Sequence, residues 1–443
     1  MPLPAFASPT PPSALDALRA FAAGTLTPTG YLAACEARAA ECAPWLHAFA
    51  HRPRDLPAPA GGPFGGLPFG VKDIIDTADM PTENGAAADR GRVPGRDAWV
   101  VERLRSLGGV VFGKTVTTEY AWRHPGATVN PHDAAHTPGG SSSGSAAAVA
   151  AGIVPLALGT QTVGSVIRPA AYCGVVGLKP SFGAIPRTGV HPLSGSLDHV
   201  GLFARRVEDV AHALALLAAA SASDPHGTPL PAFSIDPEAG LRDALPGAGP
   251  SPRLALVRTD RWGSVEAPQR EALEHAATHL RASGAQVHEL ALPAGFEGMW
   301  DWAQILLAVE AAAIHRERIA RVPDRVSATL QALASTGATL RAGDYVEALG
   351  QQRALRHRLG EVLSGFDTIL TVPATGTAPR GLDLTGDASL CAPWTFLGAP
   401  AVTLPVAAAA NGLPLGIQLV GRYREDLHLL RTAAWAEAVL AAG

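Results

Sequence analysis

The sequence predicts an α/β protein. Short apolar runs rich in Val, Ile, Leu and Phe alternate with longer helical patterns. Ser or Thr caps, Pro at first helical positions and Gly stops mark where the helices begin and end. No internal repeat and no charged linker divides the 443 residues, so we read one large domain over 1–443 rather than the two or three that length alone allows.

The elements follow in order. Ser13 to Asp16 resembles a capping box opening a short helix that stops at Gly24. Thr27 and Pro28 open a second helix through about Cys42, with Thr as cap and Pro at its first position. The Pro/Gly-rich stretch Pro53 to Pro68 is a loop, and Phe69 to Ile75 is a buried strand. Asp97 to Leu107 is helical and stops at Gly108-Gly109; Val110 to Phe112 is the next strand. A Gly/Ser loop, Pro138 to Ser145, leads into a small-residue helix, and Gly159 to Ser165 is a second small-residue turn. Arg253–Val257, a helix from about Pro268 to Ser283, and Gln286–Leu292 repeat the α/β rhythm. Residues 299–363 are mainly helical, and Thr368–Val372 is a strand. Ala401–Pro405 and Leu415–Val420 flank an Asn411-Gly412 turn, a hairpin signal, and a last helix starts near Asp426.

Composition narrows the function. The hydrophobic fraction of 47% supports a sizeable core, and a net charge of −4 without a basic stripe gives no nucleic-acid footprint. Cys35, Cys42, Cys173 and Cys391 lie far apart with no CxxC pair, which suits neither a zinc site nor a disulfide framework and fits a reducing cytoplasm. The opening MPLPAFASPTPPS has no Lys or Arg and no long apolar core, so no secretory signal is read there. The longest apolar run, Ala146 to Leu158, is broken by Gly152 and Pro155 and is too short for a membrane span. Of 35 basic residues only Lys72, Lys114 and Lys179 are lysines; arginine fills the other 32 positions. A surviving lysine raises the question of what arginine cannot do there, and losing a proton is the first answer.

The Gly/Ser loop admits several readings. A phosphate cradle of the GxxxxGK[ST] type needs a Lys after the second Gly, and none lies within twenty residues. A linker would be longer and flanked by less patterned sequence. Gly140 to Gly144 matches the nucleophile elbow G-x-S-x-G, with Ser142 as its serine, but that motif needs a strand before it and Asn130 to Pro138 is a loop. Downstream, Ser165 sits on a tight turn with Pro169 placed to start a helix, the local geometry of a nucleophile beside backbone N–H donors.

Together these segments resemble the amidase signature family. The matching pieces are Gly66 to Asp76 with Lys72, Gly113-Lys-Thr115, Gly139 to Ala148, Gly159 to Ser165, Cys173 to Pro180, Ser196 to Gly201 and Gly412 to Gly421. The resemblance covers nearly the whole chain; it is densest over about 66–205 and 366–443 and weakest over the mainly helical 205–365. It implies a three-layer α/β/α domain with a mixed central sheet. It implies a Ser–Ser–Lys triad: Ser165 as nucleophile, Ser141 as bridging serine after a cis peptide bond, Lys72 as base. It implies backbone N–H groups of Thr162, Val163, Gly164 and Ser165 as the oxyanion hole. The activity implied is hydrolysis of a small amide through a seryl acyl-enzyme, with no cofactor, no metal, no nucleic-acid or membrane partner, and a homodimer as a family expectation.

Two departures from the family pattern stand out. Gln161 and Val163 replace the frequent Asp and Gly, and Arg168 comes three residues after the nucleophile rather than two. The second resembles a malonamidase-like branch in which that arginine helps bind a substrate carboxylate; a structural arginine bonding loop carbonyls is the alternative. Arg168, Gln161, Trp122 and Trp394 are the substrate-binding candidates, with His124, Trp302 and Gln304 as further pocket candidates. Three rival readings stay open: Cys173 as nucleophile, the amidase subunit of a tRNA-dependent amidotransferase, and a noncatalytic nucleotide- or ligand-binding module.

Overall fold

The computed structural model describes residues 8–442, apart from 220, 222, 225, 228–229, 232 and 236–250. The first half runs α1 (Ala14–Ala22), α2 (Pro28–Leu46), β1 (Phe49–His51), β2 (Pro68–Lys72), α3 (Trp99–Ser106), β3 (Val110–Thr115), α4 (Ser143–Ala150), β4 (Leu156–Gln161), α5 (Ile167–Cys173), β5 (Val176–Lys179), β6 (His199–Ala204) and α6 (Val207–Leu217). The second runs β7 (Arg253–Leu256), α7 (Ala267–Ala282), β8 (Gln286–Glu289), α8 (Met299–Arg321), α9 (Ala328–Thr339), α10 (Ala342–Val362), β9 (Thr368–Thr371), α11 (Ala392–Phe396), β10 (Ala401–Ala408), β11 (Pro414–Val420) and α12 (Asp426–Ala441).

These strands join one mixed sheet in the order β1-β3-β2-β4-β6-β5-β10-β11-β9-β7-β8. Both faces are covered by helices. On one, α4 packs against β2, β3 and β4, while its neighbour α5 packs against β5, β10 and β11. Helix α12 touches both α6 and α7, and the three cover the other face. Burial on both faces explains why β2, β3, β4 and β6 have every residue buried and lack a polar alternation.

Local chemistry sets the ends. Ser13 caps α1, its hydroxyl accepting from Asp16 N, and Gly24 beyond the helix has φ +67°. Thr27 caps α2, which continues past Cys42 through Pro44 to Leu46. The Asn411-Gly412 hairpin forms as expected, with β10 antiparallel to β11.

Strand β2 stops at Lys72 rather than reaching Ile75. Asp73 and Ile74 turn, held by hydrogen bonds from Ile74 N and Ile75 N to Lys72 O. The segment read as a turn from Gly159 is strand β4 as far as Gln161; only Thr162 to Ser165 turn. Gly and Thr there make a weak apolar signal, and pairing with β2 and β6 overrides it.

Candidate active site

Register places the chemistry. Strands β2 and β4 are parallel, with Val71 opposite Leu158, and β6 runs antiparallel to β4 with His199 opposite Gln161. Lys72, the Thr162–Ser165 turn and Asp198 therefore gather at one edge, outside the carboxyl ends of two parallel strands, where α/β sheets hold their ligands.

Lys72 is fully buried. Phe69, Val71, Ile74 and Ile75 are buried too, as expected, but the amine itself meets hydroxyls. Nζ lies 2.7 Å from Ser141 Oγ and 2.7 Å from Thr160 Oγ1. Burial holds its ammonium well below the usual lysine range, and the negative charge of Asp198 works against that shift.

Each serine of the Gly/Ser loop has a separate partner. The Gly140–Ser141 peptide is cis, and Ser141 reaches Lys72. Ser142 Oγ donates to Thr160 O and accepts from Thr160 N, both at 3.2 Å, and so pins the start of α4 to β4. Ser143 Oγ donates to Val116 O at 3.2 Å, and Ser145 Oγ donates to Leu158 O at 2.9 Å. No strand precedes the loop, so the elbow reading of Ser142 lacks its context. Gly139 has φ +79°, and a Cβ there would sit 2.9 Å from Pro169 Cα.

The Thr162–Ser165 turn is built by the side chain of Gln161. Its Oε1 accepts from Val166 N at 2.8 Å and from Ile167 N at 2.9 Å. Its Nε2 donates to Thr395 Oγ1, whose hydroxyl donates to Val163 O at 2.8 Å. The N–H groups of Thr162, Val163, Gly164 and Ser165 make no hydrogen bond to a described residue. Val163 is outside the positive-φ set, so a side chain fits there without backbone strain. Gly164 packs closely, and a Cβ there would come within 3.1 Å of Ala388 and Cys391.

Ser165, 7% exposed, and Ser141 line one cavity of about 440 Å³. The Ser165 hydroxyl makes no hydrogen bond to a described residue, so the expected contact between the two serines is not made in this structure. Arg168 lines the cavity as well. Its Nη2 donates to Gly140 O at 2.7 Å and Thr385 Oγ1 at 3.2 Å, its Nε has no partner, and no carboxylate pairs with it among the described residues. Trp122, Arg123, Trp300 and Gln304 supply another part of the wall, and Asp387 a carboxylate.

Some expectations need correcting. Gln161 is fully buried behind the turn, with both ends of its amide engaged by protein, so it braces the loop rather than facing substrate. Trp394 is fully buried and absent from the cavity wall; Trp302 and His124 are absent from that wall too. Cys173 is fully buried off the cavity, with Sγ donating to Pro138 O at 3.4 Å; burial pushes its thiol far up, against a role as nucleophile. Thr160, Arg123, Trp300, Asp387 and Asp198 are the residues that sequence reading missed. Thr160 and Asp198 stood inside quoted motifs; Arg123 had no signal. Among the described residues, no group of three or more His, Cys, Asp or Glu is arranged to hold a metal ion.

Two carboxylates tie the helical region to the segments around it. Glu119, beside Trp122, accepts from Ser327 N at the start of α9 at 3.0 Å. Glu310 on α8 accepts from Ser196 N at 3.1 Å and Tyr345 Oη at 2.9 Å.

Comparison with known proteins places this geometry. Residues 40–430 match the Amidase family. The chain is 32% identical over 408 residues to a glutamyl-tRNA(Gln) amidotransferase subunit from Exiguobacterium sibiricum, covering 84% of this chain and 83% of that protein. It is 34% identical over 395 residues to the putative amidase AmiD of Mycobacterium bovis, covering 84% and 79%. Among solved structures it resembles the peptide amidase PAM bound to the competitive inhibitor chymostatin, with TM-score 0.82, 29% identity and coverage of 96% and 97%.

Proposed function

The chain belongs to the amidase family, and on that premise we propose that it is an amidohydrolase cleaving the C–N bond of a small carboxylic amide through a seryl acyl-enzyme. One observation carries the reading: a fully buried lysine amine 2.7 Å from Ser141, beside a cavity that Ser141 and Ser165 share.

The steps follow from the groups present. Burial favours neutral Lys72, and a neutral amine takes the Ser141 proton. Ser141 takes the proton of Ser165, whose Oγ attacks the amide carbonyl carbon. Closing the gap between the two serines is the adjustment expected when substrate arrives, since catalytic hydrogen bonds are often long without it. The carbonyl oxygen becomes an oxyanion, and the turn with four unengaged N–H groups is the donor set for it, each donor worth about 3 kcal/mol. The proton returns through Ser141 to the leaving nitrogen, the C–N bond breaks, and ammonia or an amine departs. Water then attacks the acyl-enzyme, using the same relay in reverse, and releases the carboxylic acid.

Arg168 suggests the kind of amide. A buried guanidinium without a carboxylate partner is costly, and a substrate carboxylate would supply the missing charge. Its bond to Gly140 O makes it a support of the loop as well. The test of the activity is a panel of aryl, aliphatic and carboxylated amides, ureas and esters, scored by ammonia or acid release, with Ser165→Ala as control. Hydrolysis of at least one amide, lost in the variant, is expected; turnover of amides that survives in Ser165→Ala refutes the reading.

The amidotransferase subunit is the second reading, favoured by the names of relatives at 32–34% identity. Activity of the isolated chain supports the hydrolase. Ammonia release that appears only with a co-purifying partner protein supports the second reading.

A further inference from the structure

Asp198 belongs to the segment Ser196–Gly201, which the proposed reaction leaves without a role. It is 8% exposed, and its carboxylate is fully engaged. Oδ1 accepts from the Thr162 hydroxyl at 2.6 Å. Oδ2 accepts from Leu193 N at 2.8 Å and Ser194 N at 2.9 Å. Burial raises the pKa of this carboxyl, and the three donors and Arg187 oppose that and favour the ionised form. Asp198 thus joins the first residue of the Thr162–Ser165 turn to Leu193, which lines the same cavity.

A second feature lies behind that turn. A void of about 10 Å³, room for one water, is lined by Thr160, Thr162, Arg187, His191, Asp198 and His199. His199 is 2% exposed, its Nε2 has no partner, and His191 Nδ1 has none either. Thr160, in the same wall, holds Lys72 Nζ. Polar groups from β4, β6 and the 187–198 segment therefore meet at Thr160, one hydrogen bond from the amine.

We propose that Asp198 is a positioning residue for the amide hydrolysis: it fixes the Thr162–Ser165 turn through Thr162 and sets a negative charge beside Thr160, the residue that holds Lys72. The charged and titratable groups around it are few. Arg187 and His191 share the small void with it from the 187–198 segment and His199 from β6, while Lys72, on β2, feels its charge. Arg187 Nη1 donates to Asp198 O at 2.9 Å and leaves the carboxylate oxygens to Thr162 and the two amides. Both histidines are pushed toward neutrality by burial, His191 down to about 4, so the negative charge acting on Lys72 is that of Asp198. It limits how far burial lowers the lysine and so sets the pH above which Ser165 is activated.

The inference rests on Lys72 being the base, and the experiment separates the two. The rate at which a fluorophosphonate labels Ser165 is measured from pH 5 to 9, which requires no known substrate. Asp198→Asn keeps the shape: its carbonyl can accept from Leu193 N and Ser194 N while its amide donates to Thr162. Loss of the charge is expected to move the acid limb about one unit lower in pH. Thr162→Val keeps the charge and removes the anchor; the labelling rate is expected to fall about tenfold with the limb in place. An Asp198→Asn limb at the wild-type pH, or a Thr162→Val rate within twofold of wild type, overturns the proposal. Lys72→Ala is run alongside. If it labels at the wild-type rate, the base assignment fails and takes this proposal with it. If Lys72→Ala is silent and the Asp198→Asn limb is unmoved, this proposal alone fails.

Discussion

Lys72, Lys114 and Lys179 are each fully buried, while arginine takes the other 32 basic positions. The three sites share a feature arginine cannot reproduce: a compact amine fitted among oxygen atoms. Lys114 Nζ donates to Ile75 O at 2.7 Å and lies 3.4 Å from Asp73; Lys179 Nζ donates to Ala399 O at 2.5 Å. The scarcity of lysine therefore marks buried amines rather than catalysis alone, and it picks out Lys72 only together with the serine loops. Two predictions belong to this scale. Lys72→Arg, which cannot give up a proton at working pH, is expected to lose activity by several orders of magnitude while thermal unfolding remains cooperative; near-normal turnover would remove Lys72 as base. Arg168→Ala is expected to lower kcat for all amides through the Gly140 loop and, in addition, to raise KM for carboxylated amides only. Equal loss for both would make Arg168 a support of Gly140 only.

Elements explain what was legible and what was not. The fold class followed from punctuation: Ser13, Thr27, Gly24 and the Asn411-Gly412 turn all stand where helices and a hairpin begin or end. Strand β4 escaped notice because Leu156 to Gln161 contains Gly and Thr in place of branched apolar residues, and its pairing partners are distant in sequence. For Gln161 the oxygen serves the local amides of Val166 and Ile167, while the amide nitrogen is fixed by Thr395, a tertiary contact that spacing does not reveal. The serine run was readable as a tight loop, but which serine does what depends on Thr160, Val116 and Leu158. A third prediction tests that division. Ser142→Ala loses the pin between α4 and β4 and is expected to cost about 1–3 kcal/mol of stability, because Thr160 N is left buried without its acceptor. Ser165 labelling is expected to persist in that variant. Abolished labelling in a folded Ser142→Ala protein would return Ser142 to the chemistry.

At the scale of the molecule, buried titratable groups couple folding to pH. Burial pushes Lys179 down to about 7, against 10.5 when unfolded. Between these values the unfolded chain binds the proton that the folded one has lost, so this residue makes stability fall as pH drops from 10.5 to 7 and lets the fold keep less of its margin at neutral pH than the charge-free site would. Below pH 7 both states hold the proton, and the cost of burying the charge is felt in full. The stability of wild type relative to Lys179→Met is therefore expected to rise between pH 7 and 8.5, at about 1.4 kcal/mol per pH unit. Thermal melts of the two proteins across that range check it, and a constant difference would show that Lys179 keeps its proton in the fold. The same whole-molecule view explains the cavity. The carboxyl ends of β2 and β4 supply Lys72 and the Ser165 turn, while α8 adds Trp300 and Gln304 from the region where the motifs are weakest. Glu119 and Glu310 bond the helical region to neighbouring segments, so the cavity is built from both the motif-rich and the motif-poor stretches of the chain.

The most direct test of the central claim is where a serine-directed fluorophosphonate lands. The protein is labelled, digested and mapped by mass spectrometry, with Lys72→Ala treated in parallel. One adduct is expected, on Ser165, and it is lost when Lys72 is removed. An adduct on Ser142 or Cys173, or Ser165 labelling indifferent to Lys72, would contradict it.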